Sequence, residues 1–142
     1  MSLVPQEILQ ASQAQLPSAV AMRRQIHMHP ELGLDLPETR KTVLAALQGF
    51  DLDIHESTAT SGIVATLEGG KSGPTLLLRG DMDALPMPED TPLDFRSKVD
   101  GAMHACGHDA HTAMLASAIP ILIDRRNQLH GNVQFMFQPG EE

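Results

Sequence analysis

The segment Met103–Thr112 holds the densest group of metal-binding side chains in the sequence, with three of the seven histidines, the only cysteine and an aspartate. Cys106 and His108 lie two positions apart, so they cannot share one face of a helix, but in an extended segment their side chains point the same way. A thiolate and an imidazole together suit zinc, cobalt, nickel or manganese better than calcium or magnesium. The pattern therefore predicts half of a transition-metal site.

Carboxylates that follow two predicted strands could supply the rest of this site. Asp81 and Asp83 follow one strand, and Glu141 and Glu142 follow another. Ligands of open α/β sheets collect beyond the carboxyl ends of the strands. One carboxylate can bind a metal while its neighbour takes a proton from water, because a divalent metal lowers the pKa of water from about 15.7 to about 7. Such a set of groups suffices to hydrolyse an amide or an ester.

Each of these groups also has a simpler interpretation. A free cysteine is usually buried as a small hydrophobic residue, turn aspartates often cap the local backbone, and Glu141 and Glu142 could form a solvated acidic end. His27 and His29 could be metal ligands, or they could hydrogen-bond a neighbouring loop and lock the turn at Pro30. A structural zinc site is disfavoured, because there is no second pair of cysteines.

Hydrophobic periodicity predicts the elements that position these groups. Helices are predicted from Gln6 to about His27, over Pro37–Leu47, and from His111 to about Asp124 after an N-cap at Asp109. Strands are predicted over Leu52–Glu56, Ile63–Leu67, Thr75–Arg79 and Asn132–Phe137. The apolar run of the third strand indicates a central strand buried on both faces, and Pro17 and Pro120 should break or kink their helices. We therefore expect an α/β fold, with a mixed, mostly parallel sheet in a three-layer α/β/α arrangement.

Composition and charge narrow the classes of function. The 142 residues make one ordinary domain with 42% hydrophobic residues, and the net charge of −8 without a basic stripe argues against nucleic-acid binding. A single cysteine excludes an internal disulfide framework and fits a reducing compartment. The first residues lack the pattern of a signal peptide, and no apolar run reaches the roughly 18 residues of a membrane span. We expect a soluble cytoplasmic protein that binds neither nucleic acid nor membrane.

Four ordered motifs together form a recognisable pattern. They lie at Arg23–Gly33, Arg79–Pro86, Met103–Met114 and Phe137–Glu142, so they extend from about residue 20 to the end of the sequence. The pattern resembles that of the metal-dependent amidohydrolases that include hippurate hydrolase and the indole-acetyl-amino-acid hydrolases. These enzymes belong to the broader aminoacylase and carboxypeptidase G-type metallopeptidases.

The resemblance implies a role for each candidate residue. Cys106, His108 and Glu142 match the metal ligands of the family, Glu141 matches its general base, and Asp83 matches the acid that orients a ligand. The family binds two divalent ions per complete active site, manganese or zinc first and nickel or cobalt as alternatives. Its substrates are N-acyl amino acids or similar small-molecule amides.

The resemblance also implies that this sequence is part of a longer enzyme. Family chains continue past the Glu-Glu motif and supply two further histidine ligands and a lid domain, through which a homodimer could form. We therefore expect residues 1–142 to be the N-terminal portion of the catalytic domain. Two alternatives stay open, namely a non-catalytic metal-binding or regulatory fragment, and a cysteine hydrolase that uses Cys106 with a histidine base.

Overall fold

Three helices form one layer of the molecule. The computed structural model describes residues 5–142, with α1 at Pro5–Met28, α2 at Pro37–Leu47 and α3 at His108–Ile123. We expected a break or a kink at Pro17 and Pro120, and α1 and α3 continue through these residues without a break. These two helices pack against each other, so tertiary contacts compensate for the backbone hydrogen bond that each proline removes. Within residues 5–142, none of the helices combines the length and the apolar character needed to cross a bilayer.

Four strands form a mixed sheet, as the sequence predicted. They are β1 at Asp53–Glu56, β2 at Ile63–Leu67, β3 at Leu76–Asp81 and β4 at Val133–Gln138, in the spatial order β1-β2-β4-β3. Strand β4 is parallel to β3, whereas the β1–β2 and β2–β4 pairs are antiparallel. Most of the pairing among the described strands is therefore antiparallel, where we expected mostly parallel pairing. The short connection between β1 and β2 allows only an antiparallel pair.

Strand β3 lies at one edge of this sheet, so the prediction of a central strand buried on both faces is wrong for the described residues. The chain leaves β3, crosses through α3 and returns as β4, which inserts between β2 and β3. Leu76 and Leu77 are consequently 58% and 49% exposed. A helical crossover is what a parallel pair requires, and it places the start of α3 above the carboxyl ends of β3 and β4.

The hydrophobic core lies between one face of the sheet and the helices. Alternate residues of β2 and β4 are buried, and they meet apolar residues of α2 and α3; the core includes Ile63, Ala65, Leu67, Val133, Phe135, Phe137, Val43, Leu47, Leu115 and Ile119. Met22 of α1 packs against the same cluster. The helices therefore cover one face, and residues 5–142 form two of the three expected layers.

Candidate metal centre

The parallel pairing of β3 and β4 brings the predicted acidic residues together. Asp81 is the register partner of Gln138, and the backbone N–H of Met82 donates to the Gln138 carbonyl at 2.8 Å. Both strands end at the same edge of the sheet, so Asp83 after β3 contacts Glu141 and Glu142 after β4. The sequence predicted that these residues follow strands, and the structure shows that the two strands are neighbours.

Gly107 forms the junction between the metal-binding segment and α3. It is the N-cap of the helix and has a left-handed backbone with φ of 95°, which a glycine adopts without steric cost. The prediction that Asp109 is the N-cap is therefore wrong. Asp109 lies in the first turn and uses its side chain for distant partners instead. The turn at Gly107 leaves Cys106 exposed and His108 buried.

Cys106, His108 and Glu142 converge on one point. One ligand atom of each residue lies within 4.8 Å of the other two. Glu141 is close as well, because its Oε2 lies 3.7 Å from Nε2 of His108. Glu142 Oε1 lies 3.8 Å from the same nitrogen. The other two proposed ligands, Cys106 and Glu142, and the proposed base Glu141 thus lie around the His108 ring.

His108 is oriented by the backbone of the β3 exit. Its Nδ1 lies 2.8 Å from the Asp83 carbonyl oxygen, which can only accept a hydrogen bond. Nδ1 therefore donates to this carbonyl group, and Nε2 is the ring nitrogen that faces the acidic residues and can bind a cation. A ligating histidine usually has its second nitrogen fixed in this way. The ring is 2% exposed, so the orientation is held by packing as well.

Asp83 holds the backbone of the two glutamates. Its carboxylate accepts the N–H of Glu141 at 3.1 and 3.0 Å and the N–H of Glu142 at 3.1 Å. The side chain is fully buried. Asp83 therefore orients the glutamate loop through its carboxylate and His108 through its carbonyl group.

The charges around His108 fit a divalent cation. A hydrogen bond to the Glu142 carboxylate raises the pKa of the Cys106 thiol, and the charges of Glu141 and Asp81 act in the same direction. Like charges that converge on a free imidazole nitrogen repel each other unless a cation lies among them. Sulfur, nitrogen and carboxylate oxygen are also the donors that zinc accepts. This donor set would therefore suit the metal that the resemblance implies.

Asp81 and His111 form a second cluster with His108 that the sequence did not reveal. Asp81 Oδ1 lies 2.6 Å from Nδ1 of His111 and 3.7 Å from Nε2 of His108, and Arg79 Nη1 lies 3.0 Å from Asp81 Oδ2. Burial opposes ionisation of Asp81, but the His111 hydrogen bond and the His108 and Arg79 charges keep its pKa below the usual value. The spacing of His108 and His111 on α3 was the available signal, because residues three apart share a helix face.

The two histidines at the end of α1 do not join the metal cluster. His27 is buried and contacts Asp109 and Glu89, whereas His29 is exposed and its Nδ1 lies 3.1 Å from the Gln25 carbonyl oxygen. The interpretation in which His27 hydrogen-bonds a neighbouring loop thus describes what the structure contains.

Burial lowers the pKa of His104 to about 4, so its ring is neutral near pH 7.

Comparisons with known proteins agree with this geometry. The family model for peptidase family M20/M25/M40 matches residues 77–142, which include the exits of both strands and the start of α3. The chain is 44% identical to the N-acetylcysteine deacetylase of Bacillus subtilis over 87% of this chain and 33% of that protein. It is 43% identical to the N-acyl-L-amino acid amidohydrolase of Geobacillus stearothermophilus, again over 87% of this chain and 33% of that protein.

A solved structure shares the fold. The Bacillus subtilis YXEP protein, a dinuclear metal binding peptidase from the M20 family, superposes with a TM-score of 0.84 at 42% sequence identity. The superposition covers 89% of this chain and 36% of that one. Our chain spans about one third of the length of the curated relatives named above. Residues 77–142 therefore match a domain of peptidase family M20/M25/M40, and the chain shares the fold of a dinuclear metal binding peptidase from the M20 family.

Proposed function

We propose that the protein hydrolyses the amide bond of N-acyl amino acids, and that residues 1–142 are the N-terminal portion of its catalytic domain. The observation that carries this proposal is the convergence of Cys106, His108 and Glu142 within 4.8 Å of one another beside Glu141. The names of two relatives, a deacetylase and an amidohydrolase of N-acylated amino acids, support this substrate class.

Cys106, His108 and Glu142 would hold divalent metal, and zinc or manganese is our first expectation from the family. When bound, the metal would activate water and polarise the substrate carbonyl group. The dinuclear peptidase with the same fold supports two ions per complete site. His108 presents Nε2 because its Nδ1 is fixed by Asp83, so the ligand is oriented before any ion arrives.

Glu141 would act as the general base. Its carboxylate accepts a proton from the attacking water and returns it to the leaving nitrogen, so that the products are a carboxylate and an amine. Glu141 is suited to this role because its side chain is 41% exposed, whereas its backbone is fixed by Asp83. Asp83 would therefore act as a positioning residue for both the base and the ligand loop.

The electrostatics of Cys106 argue against the alternative of a cysteine hydrolase. A nucleophilic cysteine needs a lowered pKa, which usually comes from nearby positive charge. Here the neighbouring carboxylates of Glu142, Glu141 and Asp81 raise the pKa of the thiol. These surroundings favour a thiolate ligand of a cation over a free thiolate nucleophile.

The experiment is an assay of the full-length protein on N-acetyl and N-benzoyl amino acids, with and without a chelator. We expect release of free amino acid that stops with the chelator and returns when Zn²⁺ or Mn²⁺ is added back. Activity that is insensitive to chelation would contradict the metal mechanism. A protein that binds metal but cleaves none of these amides would favour the alternative of a non-catalytic metal-binding protein.

A further inference from the structure

A buried cluster around His27 lies outside the proposed metal ligands, and the mechanism above gives it no role. His27, at the end of α1, is 2% exposed. Its Nδ1 lies 2.8 Å from Asp109 Oδ2, and its Nε2 lies 3.2 Å from Glu89 Oε1. Both ring nitrogens of His27 therefore face a carboxylate oxygen within hydrogen-bond distance.

The two partners of His27 lie on opposite sides of the metal-binding segment in the chain. Glu89 precedes Cys106 and His108 in a loop without helix or strand, and Asp109 follows them directly. The Glu89 side chain, 2% exposed, also accepts the backbone N–H of Ser97 and the hydroxyl of Thr91. His27 therefore closes the segment 89–109 into a loop that is tied to α1.

Neighbouring contacts reinforce this closure. Arg23 Nε donates to Asp109 Oδ2 at 2.9 Å, and the Asp109 side chain is fully buried. The Phe95 ring, from the same loop, contacts the Arg24 guanidinium at 4.8 Å and the His27 ring at 5.4 Å from its centroid. A buried carboxylate that loses its partner is costly, so the closed arrangement is strongly preferred in the folded chain.

We propose that His27, together with Glu89 and Asp109, positions Cys106 and His108 before metal binds and thereby sets the metal affinity of the site. The proposal rests on the proposed metal function of those two residues. Without His27, the segment 89–109 would sample more conformations, and metal binding would have to order this segment. His27 is a positioning residue here, because it acts on the ligands through Asp109 and the loop.

The test compares the Zn²⁺ affinity of the full-length protein and its variants by competition with a chromophoric chelator. We expect His27→Gln to bind Zn²⁺ roughly 10-fold more weakly. This is the lower end of the affinity loss that follows when a residue supporting a metal ligand is replaced. Glu89→Gln keeps the shape of the side chain and a hydrogen-bond acceptor but loses the charge, so its loss of Zn²⁺ affinity should be smaller than that of His27→Gln. The matched control is Arg126→Gln, which removes a side chain that joins Glu68 and Asp51 at the opposite end of α3. Its affinity should equal that of the wild type.

A second measurement separates positioning from a general loss of stability. Hydrogen exchange of the amides in residues 98–107 should be faster in metal-free His27→Gln than in the metal-free wild type. Saturating Zn²⁺ should return the exchange rate of the variant to that of the wild type. The inference is wrong if His27→Gln binds Zn²⁺ as tightly as the wild type or loses no more affinity than Arg126→Gln. If His27→Gln does not fold, an unchanged affinity in Glu89→Gln overturns the inference instead. A wild-type chain that binds no Zn²⁺ would overturn the proposed metal site itself, and this inference with it.

Discussion

The carboxylate of Asp83 accepts the backbone N–H of Glu141 through both of its oxygens, at 3.1 and 3.0 Å. Asp83 follows the end of β3 and Glu141 follows the end of β4, so the contact joins two strand exits across 58 residues of the chain. The carbonyl group of Asp83 fixes His108 at the same time. The position of the proposed base and that of a proposed ligand therefore depend on one buried acid.

Replacement of Asp83 by asparagine should loosen the glutamate loop. An amide has one oxygen to accept with, and its NH₂ group would face the N–H donors of Glu141 and Glu142. We expect the free energy of unfolding to fall by about 1–3 kcal/mol, the cost of weakening hydrogen bonds to a buried charged group. Urea titration of the metal-free chain measures this loss. Stability equal to that of the wild type would show that the Asp83 charge does not hold the loop.

Replacement of Glu141 by glutamine should remove the proposed base and leave the metal ligands in place. We expect kcat of the full-length protein to fall by about 10²–10⁴-fold, the usual contribution of a positioned general base. Metal content, measured by elemental analysis, should stay at the wild-type level. Glu56→Gln is the control: it alters an ion pair between Glu56 of β1 and Arg40 of α2, and it should keep its activity. Activity near the wild-type level in Glu141→Gln would exclude this residue as the base.

Replacement of Cys106 by serine separates a ligand from a nucleophile. A hydroxyl oxygen is a poorer zinc ligand than a thiolate, so affinity should fall, while excess metal should restore part of the activity. Activity is assayed over a series of Zn²⁺ concentrations, with metal content determined in parallel. Complete loss of activity with metal content intact would instead favour the cysteine-hydrolase mechanism.

The left-handed backbone at Gly107 gives a prediction with a matched control inside the chain. Gly107 and Gly49 have φ angles of 95° and 87°, and an added Cβ would meet nothing closer than 4.0 Å at either position. Alanine should therefore cost about 1–2 kcal/mol of folding stability at both sites, through backbone strain alone. Only Gly107→Ala should also weaken Zn²⁺ binding, because Gly107 lies between Cys106 and His108. Equal Zn²⁺ affinities in the two variants would mean that this turn does not position the ligands.

The neutral, buried ring of His104 predicts an acid-sensitive fold. Burial lowers its pKa to about 4 from the ordinary value of 6.5. Between these two values the unfolded chain binds a proton that the folded chain does not, so stability should decrease as the pH falls from 6.5 towards 4. Urea unfolding of the metal-free chain at several pH values should show a smaller decrease in His104→Gln. His55→Gln, which changes an exposed histidine, should retain the wild-type pH dependence. A wild-type curve without a decrease in this range would contradict the buried neutral state.

Local patterns in the sequence were sufficient to locate the elements and to group the candidate ligands. The second helix and the second strand have the bounds that periodicity and glycine predicted, at Pro37–Leu47 and Ile63–Leu67. The grouping of Cys106 and His108 with the pair Glu141 and Glu142 could also be anticipated from their chemistry and from the position of strand exits, and the resemblance implied Glu142 as the ligand. The catalytic and ligand roles of these residues stay predictions until the variants are measured.

Features that depend on tertiary packing were not available from local patterns. The position of β3 at an edge follows from where β4 inserts, and an apolar run alone does not distinguish an edge strand from a central one. The contact of His27 with Glu89 spans 62 residues and depends on how the loop after β3 packs on the end of α1. The Asp109 side chain was expected to cap its own helix, but Arg23 and the buried His27 bind it instead.

The most direct test of the metal site is X-ray absorption spectroscopy of the zinc-loaded protein at the zinc edge. We expect a sulfur scatterer at about 2.3 Å, and nitrogen or oxygen at about 2.0–2.2 Å for the other atoms bound to zinc. The sulfur signal should disappear in Cys106→Ser, and the imidazole contribution should decrease in His108→Ala. A zinc shell without sulfur in the wild-type protein would contradict the central claim that Cys106 and His108 bind the same ion.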